Sequence, residues 1–262
     1  MLPLSTTKIL SHCFTVDNLC AIIVTVAYDG NNYAGFQSQI NALAIQDVIE
    51  QALYKIFREK IRIVMSSRTD AGVHAKGQVF HFDSDKQKDL GKLKYSLNCL
   101  LPKDIHVLDV KNVSENFHSR FSVKTKTYEY IINTGEYDVF LDGYAYQCHY
   151  KLDVDLMKKG AELFIGTHDF TSFNTSNLKE YPNQVRTISE FKITQTKDII
   201  KIRVTSTGFL RNMVRIMVGT LIDLARGQKT LKEVKNMLDH PSKTTRRYNA
   251  DPHGLYLIKI RY

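Results

Sequence analysis

The chain has 262 residues, of which 43% are hydrophobic and 24% are charged, and its formal net charge is +9. These values exclude a disordered or fibrous protein and allow a sizeable hydrophobic core in one large domain or two smaller ones. No apolar run approaches the roughly 20 residues that span a bilayer, so we predict no membrane helix. Residues 1–20 lack the basic segment and the continuous apolar run of a secretory signal, which favours a cytoplasmic protein.

The positive charge is concentrated in the second half of the chain. Residues 1–115 carry 13 Lys and Arg against 12 Asp and Glu, and residues 116–262 carry 23 against 15, so the net charges are +1 and +8. A basic half favours a polyanionic partner, with nucleic acid as the leading candidate, although solvated surface lysines give the same count. The four cysteines form no CxxC pair and no metal-binding spacing, so we predict free thiols in a reducing compartment.

Hydrophobic periodicity indicates short strands and helices along the whole chain. Runs rich in β-branched residues, such as IIVTVA, predict strands at 22–27, 61–65, 77–82, 127–133, 184–194, 199–206 and 254–260. Apolar residues at helical spacing predict helices at 44–57, 86–101, 153–165, 209–225 and 231–238. Gly227 is placed to end the fourth helix, and Thr230 with Glu233 has the spacing of a capping box for the fifth.

Strands and helices recur in both halves without the regular alternation of a doubly wound sheet. The pattern therefore predicts an α+β fold of two related halves, each a mainly antiparallel sheet backed by helices. We predict an extension at residues 1–20, an N-terminal unit at 21–112 and a C-terminal unit at 113–262. A basic cleft between the two units is the natural place for a ligand.

One loop, SSRTDAGVHA at 66–75, contains the most informative residues of the chain. It lies between two predicted strands, and its Asp, Gly and Ala residues permit a tight turn. A rigid turn can aim Asp70 at a substrate, and the nearby Arg68 can contact phosphate or pair with a carboxylate. Composition alone leaves open the alternative that the segment is an ordinary turn.

The string RTDAGVHA resembles the signature of the tRNA pseudouridine synthase A family. Further resemblances are YDGNNYAGFQSQ at 28–39, FHSRF at 117–121, KTYEY at 126–130, GFLRNMVRIMVGTL at 208–221 and HGLYL at 253–257. The resemblance extends from about residue 22 to the C-terminus. It implies an isomerase that converts uridine to pseudouridine in the anticodon stem-loop of tRNA, at tRNA positions 38–40.

The family's reaction breaks the N1–C1′ bond of uridine, rotates the uracil and rejoins it to the sugar through C5. Because this involves no redox change and no donor group, the resemblance implies no organic cofactor and no catalytic metal. It also implies a homodimer, with the tRNA crossing both subunits. His74 and His81 lack acidic or Cys partners at metal-binding spacing, so we predict no zinc site.

The resemblance implies catalytic roles for Asp70, Tyr128 and Arg215. Asp70 matches the family's catalytic aspartate. Tyr128 matches its active-site tyrosine, whose ring can stack on uracil and whose hydroxyl can transfer a proton at C5. Arg215 matches the arginine of the family's MVR string, and a cation offsets the desolvation that raises the pKa of a buried carboxyl group. An ordinary strand tyrosine, and an arginine that pairs with a surface acid at the solvent edge, stay open as alternatives.

Substrate contacts are predicted for Tyr128 and for five other residues, which are Arg68, His118, Arg120, Lys126 and Leu255. By resemblance, Arg68 fills the space of an extruded base or binds phosphate, and Leu255 packs under that base, which is compatible with a place in the core. His118, Arg120 and Lys126 are interleaved with aromatic residues in the sequence, a mixture that suits contacts with RNA backbone and bases. A solvated strand edge has the same composition.

The chain departs from the family pattern at a few positions near the predicted site. Ser67 stands where the family usually has Gly, and Asn249 and Asp251 precede the last predicted strand. Asp251 adds a negative charge near a polyanion unless Arg246 or Arg247 neutralises it.

Two other functions stay open on sequence grounds. One is a non-catalytic RNA-binding protein on the same scaffold, and the other is a synthase that acts on a different RNA. Binding alone needs no nucleophile, so the presence of Asp70 together with Tyr128 and Arg215 favours catalysis.

Overall fold

The computed structural model describes residues 20–84 and 89–262, which form one ten-stranded sheet and five α-helices. The strands are β1 (Cys20–Tyr28), β2 (Val64–Met65), β3 (His74–Ser84), β4 (Ile105–Val113), β5 (Thr125–Asn133), β6 (Tyr146–Gln147), β7 (Gly166–Asp169), β8 (Val185–Thr196), β9 (Ile199–Ser206) and β10 (Leu255–Arg261). The helices are α1 (Ile45–Phe57), α2 (Leu90–Leu100), α3 (Val154–Glu162), α4 (Met213–Ala225) and α5 (Leu231–Asp239). The extension predicted at residues 1–20 lies outside the described residues, except for Cys20.

The N-terminal half of the sheet is antiparallel. β1 lies between β3 and β4, and β2 adds to β3. Helix α1 covers the core with Ile45, Ile49, Leu53 and Phe57, which follow one another by one helical turn and are all buried. Burying each such side chain stabilises the fold by about 1.5–3 kcal/mol, so the apolar stripe of the sequence holds this helix in place.

The C-terminal half of the sheet is also mainly antiparallel, in the order β5, β9, β8 and β7. Helix α4 is buried along almost its whole length. Gly227 follows it at φ +70°, which confirms the predicted helix end. The capping box of α5 is also confirmed, because Thr230 Oγ1 accepts from Glu233 N while the Glu233 carboxylate accepts from Thr230 N.

The last strand joins the two halves into one sheet. β10 pairs antiparallel with β5 and parallel with β3, where Tyr256 lies opposite His74. A Cβ on Gly77 of β3 would lie 2.6 Å from the carbonyl oxygen of Ile258, so this close approach of two backbones requires glycine. The join places the beginning of β3 and the middle of β5 on either side of the same strand.

The predicted α+β fold with mainly antiparallel sheets is confirmed, and the parallel join through β10 is a feature that the sequence did not predict. The structure also adds β4, β6 and β7, and it reduces the strand predicted at 61–65 to β2. The helix predicted from residue 209 begins at Met213, because Asn212 before it has a left-handed backbone with φ 59°. Within the described residues, no helix combines the length and apolar character needed to cross a membrane.

Candidate active site

The loop between β2 and β3 presents Asp70 and is held by backbone contacts on both sides. Phe36 N donates to the carbonyl oxygen of Thr69 at 3.3 Å, and Val73 N donates to that of Asp70 at 3.2 Å. Gly35 has φ +95°, and a Cβ there would lie 2.4 Å from the Thr69 carbonyl oxygen. Only glycine allows the chain to pass this close to the loop, so the segment at 28–39, which contains Gly35 and Phe36, supports the loop.

A buried polar network underlies the same loop. The side chain of Gln78 is fully buried in β3, and its Nε2 donates to the carbonyl oxygen of Ser67 at 2.6 Å. The Tyr28 hydroxyl lies 2.8 Å from Thr69 Oγ1, and burial raises the pKa of Tyr28 far above its usual value. Because these groups have few alternative partners away from water, the network fixes the backbone just before Asp70.

Asp70 and Arg215 form the ion pair that the sequence analysis predicted. Arg215 Nη1 lies 3.3 Å from Asp70 Oδ2, and their side chains are 13% and 32% exposed, respectively. The guanidinium is held on two other sides, since Nε donates to the carbonyl oxygen of Ala250 at 2.7 Å and Nη1 to Asn212 Oδ1 at 3.3 Å. The pair therefore combines a positioned, mostly buried cation with a carboxylate that still reaches solvent.

Tyr128 lies in the middle of β5 with only 5% of its surface exposed. Its hydroxyl is 3.0 Å from Ser67 Oγ, and its ring meets that of Phe209 edge to face, with centroids 5.2 Å apart. Burial raises the pKa of Tyr128 to about 12, and the charge of Asp70 adds to this effect while the hydrogen bond with Ser67 opposes it. The phenol is therefore protonated at neutral pH and able to donate a proton.

A cleft of about 1360 Å³ opens over these residues, between the two halves of the fold. Its volume exceeds the range of about 300–1,000 Å³ that is typical of small-molecule sites, so a nucleoside fits. Asp70, Tyr128 and Leu255 contribute to its lining, and Leu255 is buried beneath it. The charged residues that line it are the cations Arg62, Arg68, Arg120, Lys126, Arg186, Arg211 and Arg215 and the acids Asp70 and Glu180. Seven cations against two acids make the cleft basic, as predicted.

The residues predicted to contact RNA have different positions relative to the cleft. Arg68 and Arg120 are exposed at its wall, and no hydrogen bond or ion pair within the described residues holds the Arg68 head. Lys126 Nζ donates to the carbonyl oxygen of Ser66 at 2.6 Å, and burial lowers the pKa of Lys126 to about 8. The Arg68 guanidinium, which has no such partner within the described residues, is able to bind phosphate at this basic wall.

His118 does not line the cleft. Its Nδ1 accepts from the backbone N–H groups of Arg120 at 3.1 Å and Phe121 at 3.3 Å, and its ring packs against those of His81 and Phe121. These contacts shape the turn that carries Arg120. A direct contact of His118 with substrate stays a prediction.

Asp251 makes its side-chain contacts with a neighbouring residue, His253. His253 Nδ1 lies 2.8 Å from Asp251 Oδ1, which also accepts from the His253 backbone N–H. Arg247 instead donates to the carbonyl oxygens of Asn174 and Lys243. Within the described residues neither Arg246 nor Arg247 pairs with Asp251, because the short 3-10 turn at Pro252–Gly254 brings His253 back over the carboxylate.

The sequence analysis missed several residues that build the site. Gln78 and Asn212 hold the Asp70 loop and the Arg215 head, while Arg186 and Phe209 line the cleft. One signal was present in the sequence, since a glutamine within an apolar strand needs a buried polar partner. The other residues have no local pattern that marks them as part of a site.

Comparison with known proteins identifies the family. The family model described as tRNA pseudouridine synthase matches residues 24–122 and 161–262. A tRNA pseudouridine synthase A of Thermoanaerobacter sp. (strain X514) is 40% identical over 242 residues, which are 92% of this chain and 99% of that protein. The protein of the same name in Bacillus subtilis (strain 168) is 43% identical over 241 residues, with 91% and 97% covered.

A solved structure, a Cbf5–Nop10–Gar1 complex, matches 76% of this chain and 54% of its own at 10% identity, with a TM-score of 0.32. The family model covers the Asp70 loop, α4 and the last strand, whereas β5 lies between its two matched segments. The chain therefore belongs to the tRNA pseudouridine synthase family.

Proposed function

We propose that this protein is a tRNA pseudouridine synthase that isomerises uridines at positions 38–40 of the anticodon stem-loop, with Asp70 as the catalytic carboxylate. The observation that carries the proposal is the Asp70–Arg215 pair, with its partly exposed carboxylate at the wall of a basic cleft. The family membership supports the reaction, and the resemblance of the motifs supports the position in tRNA.

The reaction sets requirements that this cleft meets. The N1–C1′ bond breaks and a C5–C1′ bond forms, while C5 loses a proton and N1 gains one, so substrate and product are isomers and no co-reactant is needed. We therefore propose a reaction without an organic cofactor or catalytic metal. The uridine must first leave the base stack, at a cost of about a few kcal/mol. A cleft with seven cations offsets this cost through contacts to the phosphates on either side of the extruded nucleotide.

Asp70 acts on the extruded nucleotide as a nucleophile or as a proton acceptor. A carboxylate that attacks the sugar or the ring splits one difficult step into two through a covalent intermediate, and one that removes a ribose proton acts as a general base. Arg215 serves both routes, because its guanidinium offsets the desolvation of the Asp70 carboxylate and orients one of the two carboxylate oxygens.

The remaining site residues hold the uridine and move its proton. Tyr128 is protonated, so its phenol gives its proton to N1 and then takes the proton that C5 loses, which restores the phenol. Leu255 packs under the uracil, Arg68 occupies the space that the base leaves, and Arg120 and Lys126 bind phosphate. His118 supports Arg120 and extends this basic surface. By resemblance, the enzyme works in the cytoplasm as a homodimer that one tRNA crosses.

The decisive experiment incubates the purified protein with unmodified tRNA transcripts and maps pseudouridine chemically. We expect product at positions 38–40 with the wild-type protein and none with Asp70→Asn. Tight tRNA binding without any product would refute the proposal and favour the non-catalytic RNA-binding protein. Product only in other structured RNAs would instead identify a synthase with a different substrate.

A further inference from the structure

Ser67 provides the one hydrogen bond that the Tyr128 hydroxyl makes within the described part of the chain. Its Oγ lies 3.0 Å from the phenolic oxygen. Ser67 belongs to the loop that carries Asp70, three residues further along, whereas Tyr128 belongs to β5 in the other half of the fold. This hydrogen bond therefore joins the loop of the proposed catalytic carboxylate directly to the proposed proton-transfer group.

The ring of Tyr128 is already fixed by its surroundings. β5 has strand partners on both sides, β9 and β10, and Phe209 packs against the ring edge to face. In a closely packed, buried position the ring has one rotamer. The O–H group can then still rotate about its C–O bond. The hydrogen bond with Ser67 Oγ, at 3.0 Å, restricts this rotation.

A hydrogen bond from β3 also fixes the backbone of Ser67. Its carbonyl oxygen accepts the hydrogen bond from the fully buried Gln78, so its backbone has a defined place. Ser67 is not among the described residues with positive φ, and small residues with a Cβ fit there without backbone strain. Its hydroxyl is therefore separable from its backbone by substitution.

We propose that Ser67 is a positioning residue for the isomerisation, which holds the Tyr128 hydroxyl in one orientation relative to the uridine. This inference rests on the proposed function. Without Ser67, the phenolic O–H is free to rotate about its C–O bond, so it is aimed at the substrate for a smaller fraction of the time.

The test compares kcat and KM for unmodified tRNA in three variants and the wild-type protein. A hydrogen bond of ordinary strength corresponds to about a three- to tenfold effect, so we expect Ser67→Ala to lower kcat by that factor with KM within about twofold. Ser67→Thr keeps a hydroxyl, and we expect it to retain at least half of the wild-type kcat. Ser189→Ala is the control, because the Oγ of this exposed residue of β8 donates to the backbone carbonyl oxygen of Thr205 in β9.

Each outcome of this comparison supports or contradicts the positioning role of Ser67. A wild-type kcat in Ser67→Ala, an equal loss in Ser67→Thr, or a loss that appears only in KM would overturn the positioning role while leaving the proposed function intact. Thermal unfolding of all variants separates a general loss of folded protein from a loss of kcat. No product from the wild-type protein with any tRNA would overturn both proposals.

Discussion

Replacement of Arg215 by methionine tests the ion pair on which the proposed chemistry depends. Methionine retains much of the aliphatic length, so it fills the space on α4 and limits the cavity. It removes the partner of Asp70 and the donor to the carbonyl oxygen of Ala250, a residue that is fully buried. The substitution therefore changes charge and hydrogen bonding more than packing.

The expected loss of stability follows from the burial of the groups left behind. Breaking a fully buried ion pair costs about 3–5 kcal/mol, but the Asp70 side chain is 32% exposed, so we expect about 1–2 kcal/mol from this source. An unsatisfied carbonyl at Ala250 adds about 1–2 kcal/mol. The sum, about 2–4 kcal/mol, corresponds to a fall of roughly 4–16 °C in Tm for a chain of this size.

Urea and thermal unfolding measure the loss of stability, and turnover of tRNA measures the loss of activity. We expect kcat to fall by at least about a hundredfold, as when other preorganised charges are removed from active sites. The double variant Arg215→Met with Asp70→Asn carries no unpaired charge, so its free energy of unfolding should be about 1–2 kcal/mol higher than that of Arg215→Met alone. Arg203→Met is the matched control, since it breaks a pair with Glu129 at 2.6 Å outside the cleft and should leave kcat unchanged.

Two results would refute this reasoning. The first is a wild-type free energy of unfolding in Arg215→Met, which would mean that the pair and its hydrogen bonds contribute nothing. The second is strict additivity in the double variant, which would mean that Asp70 does not sense the guanidinium.

Three further predictions concern the loop and the cleft. Asp70→Asn should abolish product and keep tRNA affinity within about tenfold, because phosphate contacts dominate binding; filter binding beside a pseudouridine assay checks this, and normal turnover would contradict it. Gly35→Ala should lower the free energy of unfolding by about 2–4 kcal/mol, since it combines a positive φ with a 2.4 Å approach to Thr69. Gly227→Ala, with positive φ in open space, should cost about 1 kcal/mol, and equal losses in urea titrations would argue against the clash. The pKa of Lys126 is lowered to about 8, so its charge is lost as the pH rises through that value. Lys126→Met should therefore weaken tRNA binding at pH 7 but have little effect at pH 9.5, and a pH-independent effect would exclude a role for the charge.

The local features of this protein were determined by the sequence alone. The amphipathic stripe of α1, the capping box of α5 and the glycine that follows α4 depend on residues within a few positions of one another. The presence of a turn at Asp70 was equally predictable from a short segment of turn-forming residues, whereas the contacts from Phe36 and Gln78 that hold this turn depend on the fold. The residue pattern of this loop was also sufficient to identify the family.

The tertiary structure alone decided which distant residues share the site. Asp70 and Arg215 are 145 positions apart in sequence, and they meet because β10 inserts between β3 and β5. The periodicity of α4 predicts a buried helix but not which buried group its arginine faces. For the same reason Ser67 faces Tyr128, although the two residues are 61 positions apart. Such contacts depend on how strands from the two halves pair, and strand pairing is set by the packing of the whole sheet rather than by any one segment.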